Sequence, residues 1–270
     1  MQKVYDIHSN RLIFIREVAN STFWDDHWNM ADFRQVVTSV SKHNIIIKMT
    51  QKYLSPTNGR ILEGGCGMGQ YVFALSNSGF KCTGVDWAKK TVKRVNDLIP
   101  EIDVRHGDVR DLDFDDNCFA GYWSMGVIEH FFDGYVDILM EAKRILKKSG
   151  ILFITFPYMS PIRILKSRLN MYPLMKKDTL RSPSFYQFAL NYREVLSHAQ
   201  QIGFRLICKR PISGIKGFKD EVALFNSVMQ KISDYRGRPF FFKVIRSLLD
   251  TCLSHVGAGH MMLLVLELEE

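Results

Sequence analysis

Residues 63–70 read Glu-Gly-Gly-Cys-Gly-Met-Gly-Gln, between a short apolar run, Arg60-Ile61-Leu62, and a helical pattern over 70–78. Glycines at 65, 67 and 69 allow the backbone to reverse tightly and let a ligand approach with no Cβ in the way. The helix that follows offers free N–H groups at its first turn, a setting suited to an anionic group. A strand, a glycine-rich turn and a helix in that order open a βαβ unit with its ligand at the carboxyl edge of the strand. The glycines alone fit any nucleotide-like ligand.

The rest of the chain repeats this alternation. Lys81–Asp86 precedes a helical pattern over 88–98, and Ile102–His106 is a short third strand. Phe119–Met125 is a fourth, followed after a loop by a helix over 134–146. After a turn at Lys148-Ser149-Gly150 comes the almost wholly apolar Ile151–Phe156. Strands this apolar, alternating with helices, are buried on both faces of a parallel sheet. A helix over 191–201, a C-cap at Gly203 and a strand over 204–209 follow. The last strand, 261–269, is entered from a loop and is expected to lie antiparallel. The fold class is therefore α/β: a doubly wound, mostly parallel sheet of about seven strands.

Three regions lie outside this core. Residues 1–54 are expected to be a largely helical N-terminal segment, with the aromatic cluster Phe23-Trp24-Asp25-Asp26-His27-Trp28 in the middle. The remaining residues, 55–270, form the main domain. It carries insertions at about 157–190, where Pro157, Pro161, Pro173 and Pro183 break any long helix, and at about 211–258, with helical pieces over 221–234 and 240–253. Excursions of this length are usually ordered lids or binding loops.

Spacing sharpens the ligand. A dinucleotide fingerprint needs a third Gly or Ala three residues after the second, and Gln70 stands there. Glu-x-Gly-x-Gly-x-Gly, with Asp86 ending the next strand, Gly107-Asp108-Val109 past the third and Ser124-Met125-Gly126-Val127-Ile128-Glu129-His130 past the fourth, resembles the class I S-adenosylmethionine-dependent methyltransferases, small-molecule type. The resemblance covers residues 60–156 and implies a Rossmann-like fold and S-adenosyl-L-methionine as cofactor, with S-adenosyl-L-homocysteine as product. It implies that Glu63, Gly65 and Gly67 hold the methionine end, with Gly69 also at the cofactor and Gln70 at the cofactor carboxylate. Asp86 would take the ribose, Asp108 with Val109 the adenine, and Trp87 and Met125 would pack beside it.

Methyl transfer from a sulfonium asks the protein chiefly for positioning and, with a hydroxyl acceptor, for a base. His130, just past the fourth strand at the ligand-binding edge, is the candidate catalytic base, because an imidazole titrates near neutrality. The Glu129-His130 pair resembles the quinone-biosynthesis O-methyltransferases. Some of those carry a further Glu three residues earlier that completes a metal site; Gly126 stands there, so no metal is expected. The aromatic cluster 23–28 is placed over the cofactor, and Tyr158, after the fifth strand, in the acceptor pocket. Met159, Met171, Met175 and Tyr172 give the insertion an adaptable apolar surface.

Charge is unevenly spread. Over 160–220, twelve lysines and arginines face three acids, in a chain whose formal net charge is +8. A segment so basic fits an acidic acceptor, an anionic membrane surface contacted peripherally, or RNA. The five cysteines form no CxxC pair and the first residues do not read as a signal peptide, which points to a cytoplasmic protein. No apolar run reaches the roughly 18 residues of a membrane span. The expected function is methylation of a small-molecule or lipid-like acceptor at O, N or C. The alternatives are an RNA or protein methyltransferase using the basic segment, or a non-catalytic scaffold. Against RNA, the fourth-strand segment lacks the [DNS]-P-P-[YFW] signature of many base N-methyltransferases. The oligomeric state is not readable.

Overall fold

The computed structural model describes residues 2–16, 18–29, 32–41, 44–175, 185–234 and 240–269. It begins with a hairpin, β1 (Gln2–Asp6) and β2 (Arg11–Ile15), and not with helix. Helix is found only further along: α1 (Ser21–His27), α2 (Phe33–Thr38) and α3 (Ile45–Tyr53). The expectation of a largely helical segment over 1–54 is corrected for residues 2–15. β1 alternates, with Val4 and Asp6 inward, whereas Leu12–Phe14 of the central strand β2 are buried in succession, the pattern of a strand covered on both faces.

The core then follows the predicted order. It runs β3 (Arg60–Gly64), α4 (Gln70–Ser76), β4 (Cys82–Asp86), α5 (Lys89–Leu98), β5 (Asp103–His106), β6 (Phe119–Met125), α6 (Val136–Ile145) and β7 (Leu146–Pro157). After β7 come α7 (Pro161–Arg168), β8 (Phe185–Ala189), α8 (Tyr192–Ile202) and β9 (Phe204–Ile212). Asn191 caps α8 at its start, and Gly203, at φ 111°, ends it. The second insertion holds α9 (Gly214–Glu221), α10 (Asn226–Asp234) and α11 (Phe240–Leu253) before β10 (Met261–Leu268) closes the described chain. Pro183 and the rest of the first insertion over 176–184 lie outside the described residues.

The main sheet has seven strands in the order β5-β4-β3-β6-β7-β10-β9. The first five pair in parallel, and β10 runs antiparallel to both β7 and β9, as its entry from a loop suggested. Adjacent residues serve opposite faces: Leu62, Tyr122, Leu152 and Leu264 pack with α6 and α8, whereas Ile61, Trp123, Phe153 and Leu263 pack with α3, α4 and α5. Trp123 stacks on Phe153 at 4.2 Å and donates Nε1–H to Thr50 Oγ1 at 2.9 Å, which fixes α3 against the sheet.

A second sheet, β1-β2-β8, joins the N-terminus to the insertion after β7. One buried carboxylate fastens this cap. Glu221, at the end of α9, accepts from Lys3 Nζ (2.7 Å, β1), Arg163 Nε (3.0 Å, α7), Lys166 Nζ (2.9 Å, α7) and Tyr172 Oη (2.6 Å). Arg163 is fully buried and donates further to the carbonyls of Tyr158 and His260 and to His260 Nδ1. Burial alone pushes the Glu221 carboxyl up, but the charges of Arg163 and Lys3 outweigh it and hold it at about 2.

Replacing Glu221 with Gln leaves Arg163 buried without its counter-charge, and the expected loss of stability is about 3–5 kcal/mol in urea unfolding. The carboxyl is depressed from its ordinary 4.5 to about 2. Its contribution is therefore complete above about pH 4.5 and lost as pH falls toward 2, so the wild-type and E221Q stabilities converge across that window. A difference that stays undiminished down to pH 2 rules the charge out as its source.

Candidate functional site

At the carboxyl edge of β3 the glycine turn takes the left-handed backbone its sequence allows, with φ of 72° at Gly65, 53° at Gly67 and 72° at Gly69. Gly65 and Cys66 both donate their N–H to Val85 O, at 2.8 and 3.1 Å, clamping the turn onto β4. Asp86 completes the clamp, accepting from Gly67 N at 2.7 Å and Ala88 N at 2.9 Å. Burial raises the Asp86 carboxyl, and these two N–H groups oppose the rise. A Cβ at Gly65 would overlap Val127, and one at Gly67 would lie 2.9 Å from Trp28 Cε2. The turn is thus packed from both sides, by the loop after β6 and by the tryptophan after α1.

A cavity of about 290 Å³ opens beside it. Its polar part is formed by Asp86, Asp108 and the glycine backbone at 65 and 107, with Trp87 and Val109 alongside. Its apolar part is aromatic: Trp24, Trp28, Phe131 and Tyr186, with His27, His130, Met125, Gly126 and Val127. Trp24 and Trp28 stack at 5.9 Å, and Trp24 meets His130 edge-on at 5.0 Å. Asp108 is not idle, since Arg110 Nη2 lies 2.6 Å from its Oδ2 and holds its carboxyl below the ordinary range.

Of the residues singled out in the sequence, Gly65, Asp86, Trp87, Asp108, Val109, Met125 and His130 line the cavity. Glu63, Gly67, Gly69 and Gln70 stand behind that lining. Glu63 is buried, and its Oε2 has no hydrogen-bond partner. Burial, with the charge of Asp86 added, pushes its carboxyl well up. Gln70 Oε1 is likewise buried and unpartnered. Tyr158 does not line the cavity: it is buried beside Tyr192, rings 6.3 Å apart, with its hydroxyl pushed up by burial to about 12. The N-terminal aromatic cluster does line it, through Trp24, His27 and Trp28.

Phe131 and Tyr186 were missed. Phe131 had a signal, its place directly after His130. Tyr186 had none, because it reaches the site only through the second sheet. It sits on β8, and its carbonyl accepts from His130 Nδ1 at 2.8 Å. That bond assigns the ring proton to Nδ1 and leaves Nε2 as the acceptor. Burial presses the imidazole down to about 4, so it is neutral at pH 7.

Glu129, behind Gly126, is buried with Oε2 unpartnered, and burial lifts its carboxyl to about 8. Among the described residues no group of three or more His, Cys, Asp or Glu side chains is placed to hold a metal ion.

The family model of a methyltransferase domain matches residues 62–154. A probable S-adenosylmethionine-dependent methyltransferase of Mycolicibacterium smegmatis is 27% identical over 146 residues, or 54% of this chain and 52% of that protein. The chain thus spans about half the length of that relative. A demethylmenaquinone methyltransferase of Staphylococcus epidermidis is 25% identical over 194 residues, or 68% of this chain and 78% of the relative. Among solved structures, the PH0226 protein of Pyrococcus horikoshii shares the fold with a TM-score of 0.54 at 18% identity, over 89% of this chain and 93% of that one. An S-adenosylmethionine-dependent methyltransferase of Mesorhizobium loti does so with a TM-score of 0.53 at 15% identity, over 86% and 99%.

The geometry around His130 has a spectroscopic consequence. In a ¹H–¹⁵N long-range correlation series, its ring is expected as the Nδ1–H tautomer at pH 7, titrating near 4. A midpoint near 6.5, the value of a free imidazole, contradicts the buried, carbonyl-bound placement.

Proposed function

We propose that the chain, whose residues 62–154 match the model of a methyltransferase domain, is a class I S-adenosylmethionine-dependent methyltransferase and transfers a methyl group to a small amphipathic acceptor seated in the aromatic half of the cavity. The observation that carries this reading is the division of that cavity, polar at Asp86 and Asp108 and aromatic around His130.

The residues fit the cofactor. Asp86 spends one lone pair of each oxygen on Gly67 and Ala88 and keeps the others for two ribose hydroxyls. Gly65, without a Cβ, gives close backbone approach, and the unpartnered Glu63 Oε2 and Gln70 Oε1 are acceptors suited to the ammonium of the methionine end. Trp87 and Val109 flank the adenine place, with Asp108 at its edge. When bound, S-adenosylmethionine supplies an activated methyl on a sulfonium, with a neutral thioether as leaving group. What remains for the protein is to align the acceptor atom and to exclude water.

Trp24, Trp28, Phe131 and Tyr186 do the excluding. For a hydroxyl acceptor, neutral His130, oriented by the Tyr186 carbonyl, offers Nε2 to the departing proton. The relative named a demethylmenaquinone methyltransferase is consistent with such an acceptor. An RNA acceptor is less well supported, because many cations of the basic segment are committed within the fold. Arg163 and Lys166 bind Glu221, Lys216 reaches His260, and Arg205 pairs with Glu267.

Calorimetric titration with S-adenosylmethionine, S-adenosylhomocysteine and NAD tests the cofactor assignment. Binding of the first two and not the third is expected. Asp86→Ala is expected to weaken it by about 1.5–3 kcal/mol, the range for hydrogen bonds to a charged group. Unchanged affinity in that variant removes Asp86 from the ribose site.

The acceptor reading is tested by homocysteine release with acyl or aromatic hydroxyl compounds against polar metabolites. Faster turnover of the polar set counts against it. With a hydroxyl acceptor, His130→Gln is expected to lower kcat by about 10²–10⁴ while cofactor affinity holds. An unchanged kcat would leave His130 as a wall of the pocket.

A further inference from the structure

The exposed apolar side chains of this protein are not scattered. Of the nineteen large ones exposed among the described residues, twelve lie on two stretches, 161–175 and 222–256. Leu165 and Leu169 mark the outer side of α7 and its end, and Leu169 is 61% exposed. Leu224, at 83%, and Val228 mark the approach to α10 and the helix itself, and Leu248, at 64%, stands with Phe242 and Ile245 on α11. Val256, in the turn after α11, is 72% exposed. Single exposed leucines need no explanation, but a concentration of them does.

The helices that carry them are bound to one another. Lys166 on α7 donates to the carbonyl and carboxylate of Glu221 at the end of α9. Lys219 on α9 donates to Gln230 on α10, and Ile215 N on α9 donates to Asp250 on α11. A Cβ at Gly257, in the turn after α11, would come within 2.9 Å of Pro161 at the start of α7. The exposed apolar groups therefore stand on adjoining elements of one cap.

Charge identifies what this surface meets. On the described, exposed part of these elements stand Arg168 on α7, Lys231 on α10 and Arg246 on α11, among the exposed apolar side chains, whereas Arg163 and Lys166 turn inward to Glu221. We propose that the outer surface of α7, α10 and α11 docks on an anionic lipid bilayer, apolar side chains entering the interface and the cations meeting lipid headgroups. Apolar groups interleaved with Lys and Arg suit that boundary. The competing occupant, a second copy of the chain, is disfavoured by the same charges. A two-fold contact would bring Arg168, Lys231 and Arg246 close to the same cations of the second copy. No helix among the described residues is long and apolar enough to cross a membrane, so the contact is a peripheral one. The inference rests on this surface and not on the acceptor reading, and its test uses no methyl acceptor, so the two fail separately.

Sedimentation of the full chain with vesicles decides it. Pelleting is expected with vesicles of phosphatidylcholine containing phosphatidylglycerol, and much less with phosphatidylcholine alone or at raised salt. Leu224→Glu and Leu248→Glu, exposed positions whose far-UV spectra are expected to match wild type, should each reduce the bound fraction at least about fivefold. Leu98→Glu, an exposed apolar position on α5, outside the cap, should not. No pelleting with the anionic vesicles overturns the proposal, as does an equal loss in Leu98→Glu. A dimer seen by light scattering without lipid and dissolved by Leu248→Glu would assign the surface to self-association instead.

Discussion

The cap of this protein depends on one buried carboxylate. Glu221 gathers Lys3, Arg163, Lys166 and Tyr172, and with them the N-terminal hairpin, the insertion after β7 and the insertion after β9. Burying a charge is costly unless its partners are close and its lone pairs are filled, and here four donors fill them. Arg163 extends the network through His260 to the end of the sheet. Arg163 is fully buried, and its charge is met inside the fold by Glu221. This also accounts for part of the basic bias of residues 160–220, which serves the interior as well as the surface.

The cap matters because it finishes the site. The sheet edge supplies the glycine turn, Asp86, the loop carrying Asp108 and, beside His130, Met125, Val127 and Phe131. The rest of the aromatic wall comes from Trp24, Trp28 and Tyr186. The Tyr186 carbonyl also sets the tautomer of His130. A residue of the second sheet thus decides how a side chain of the first presents its lone pair. Burial keeps that imidazole neutral, so any contribution it makes to proton transfer comes from placement more than from basicity.

Much of the core was legible in the sequence. Each βα unit is written in contiguous residues whose period changes from 2 to 3.6, and the strands of the parallel sheet are apolar because both faces are covered. The glycines at 65, 67 and 69 announce their backbone conformation, since only glycine adopts it without strain. The antiparallel β10 followed from its entry by a loop. The hairpin at residues 2–15 was not legible. Its run of isoleucine, leucine and phenylalanine fits a buried helix as well as a strand, and what settles the matter is pairing with β8, about 175 residues away. Tyr158 was assigned to the acceptor pocket from its place after β7, but side-chain direction at a strand end is set by neighbours, and here Tyr192 and the turn at Gly259 hold it outside the cavity lining.

By itself, then, the sequence determined the order of the βαβ units, the ligand-binding turn and the carboxylates at the sheet edge, because each is specified by residues a few positions apart. Tertiary structure alone decided that the N-terminal hairpin and the insertion after β7 meet in a second sheet, that Tyr186 stands over His130 and that Glu221 finds Lys3 across 218 residues. Contacts of that separation leave no local period or spacing. They exist only once the core has folded and offers a surface on which distant segments can bury their apolar faces and pair their charges.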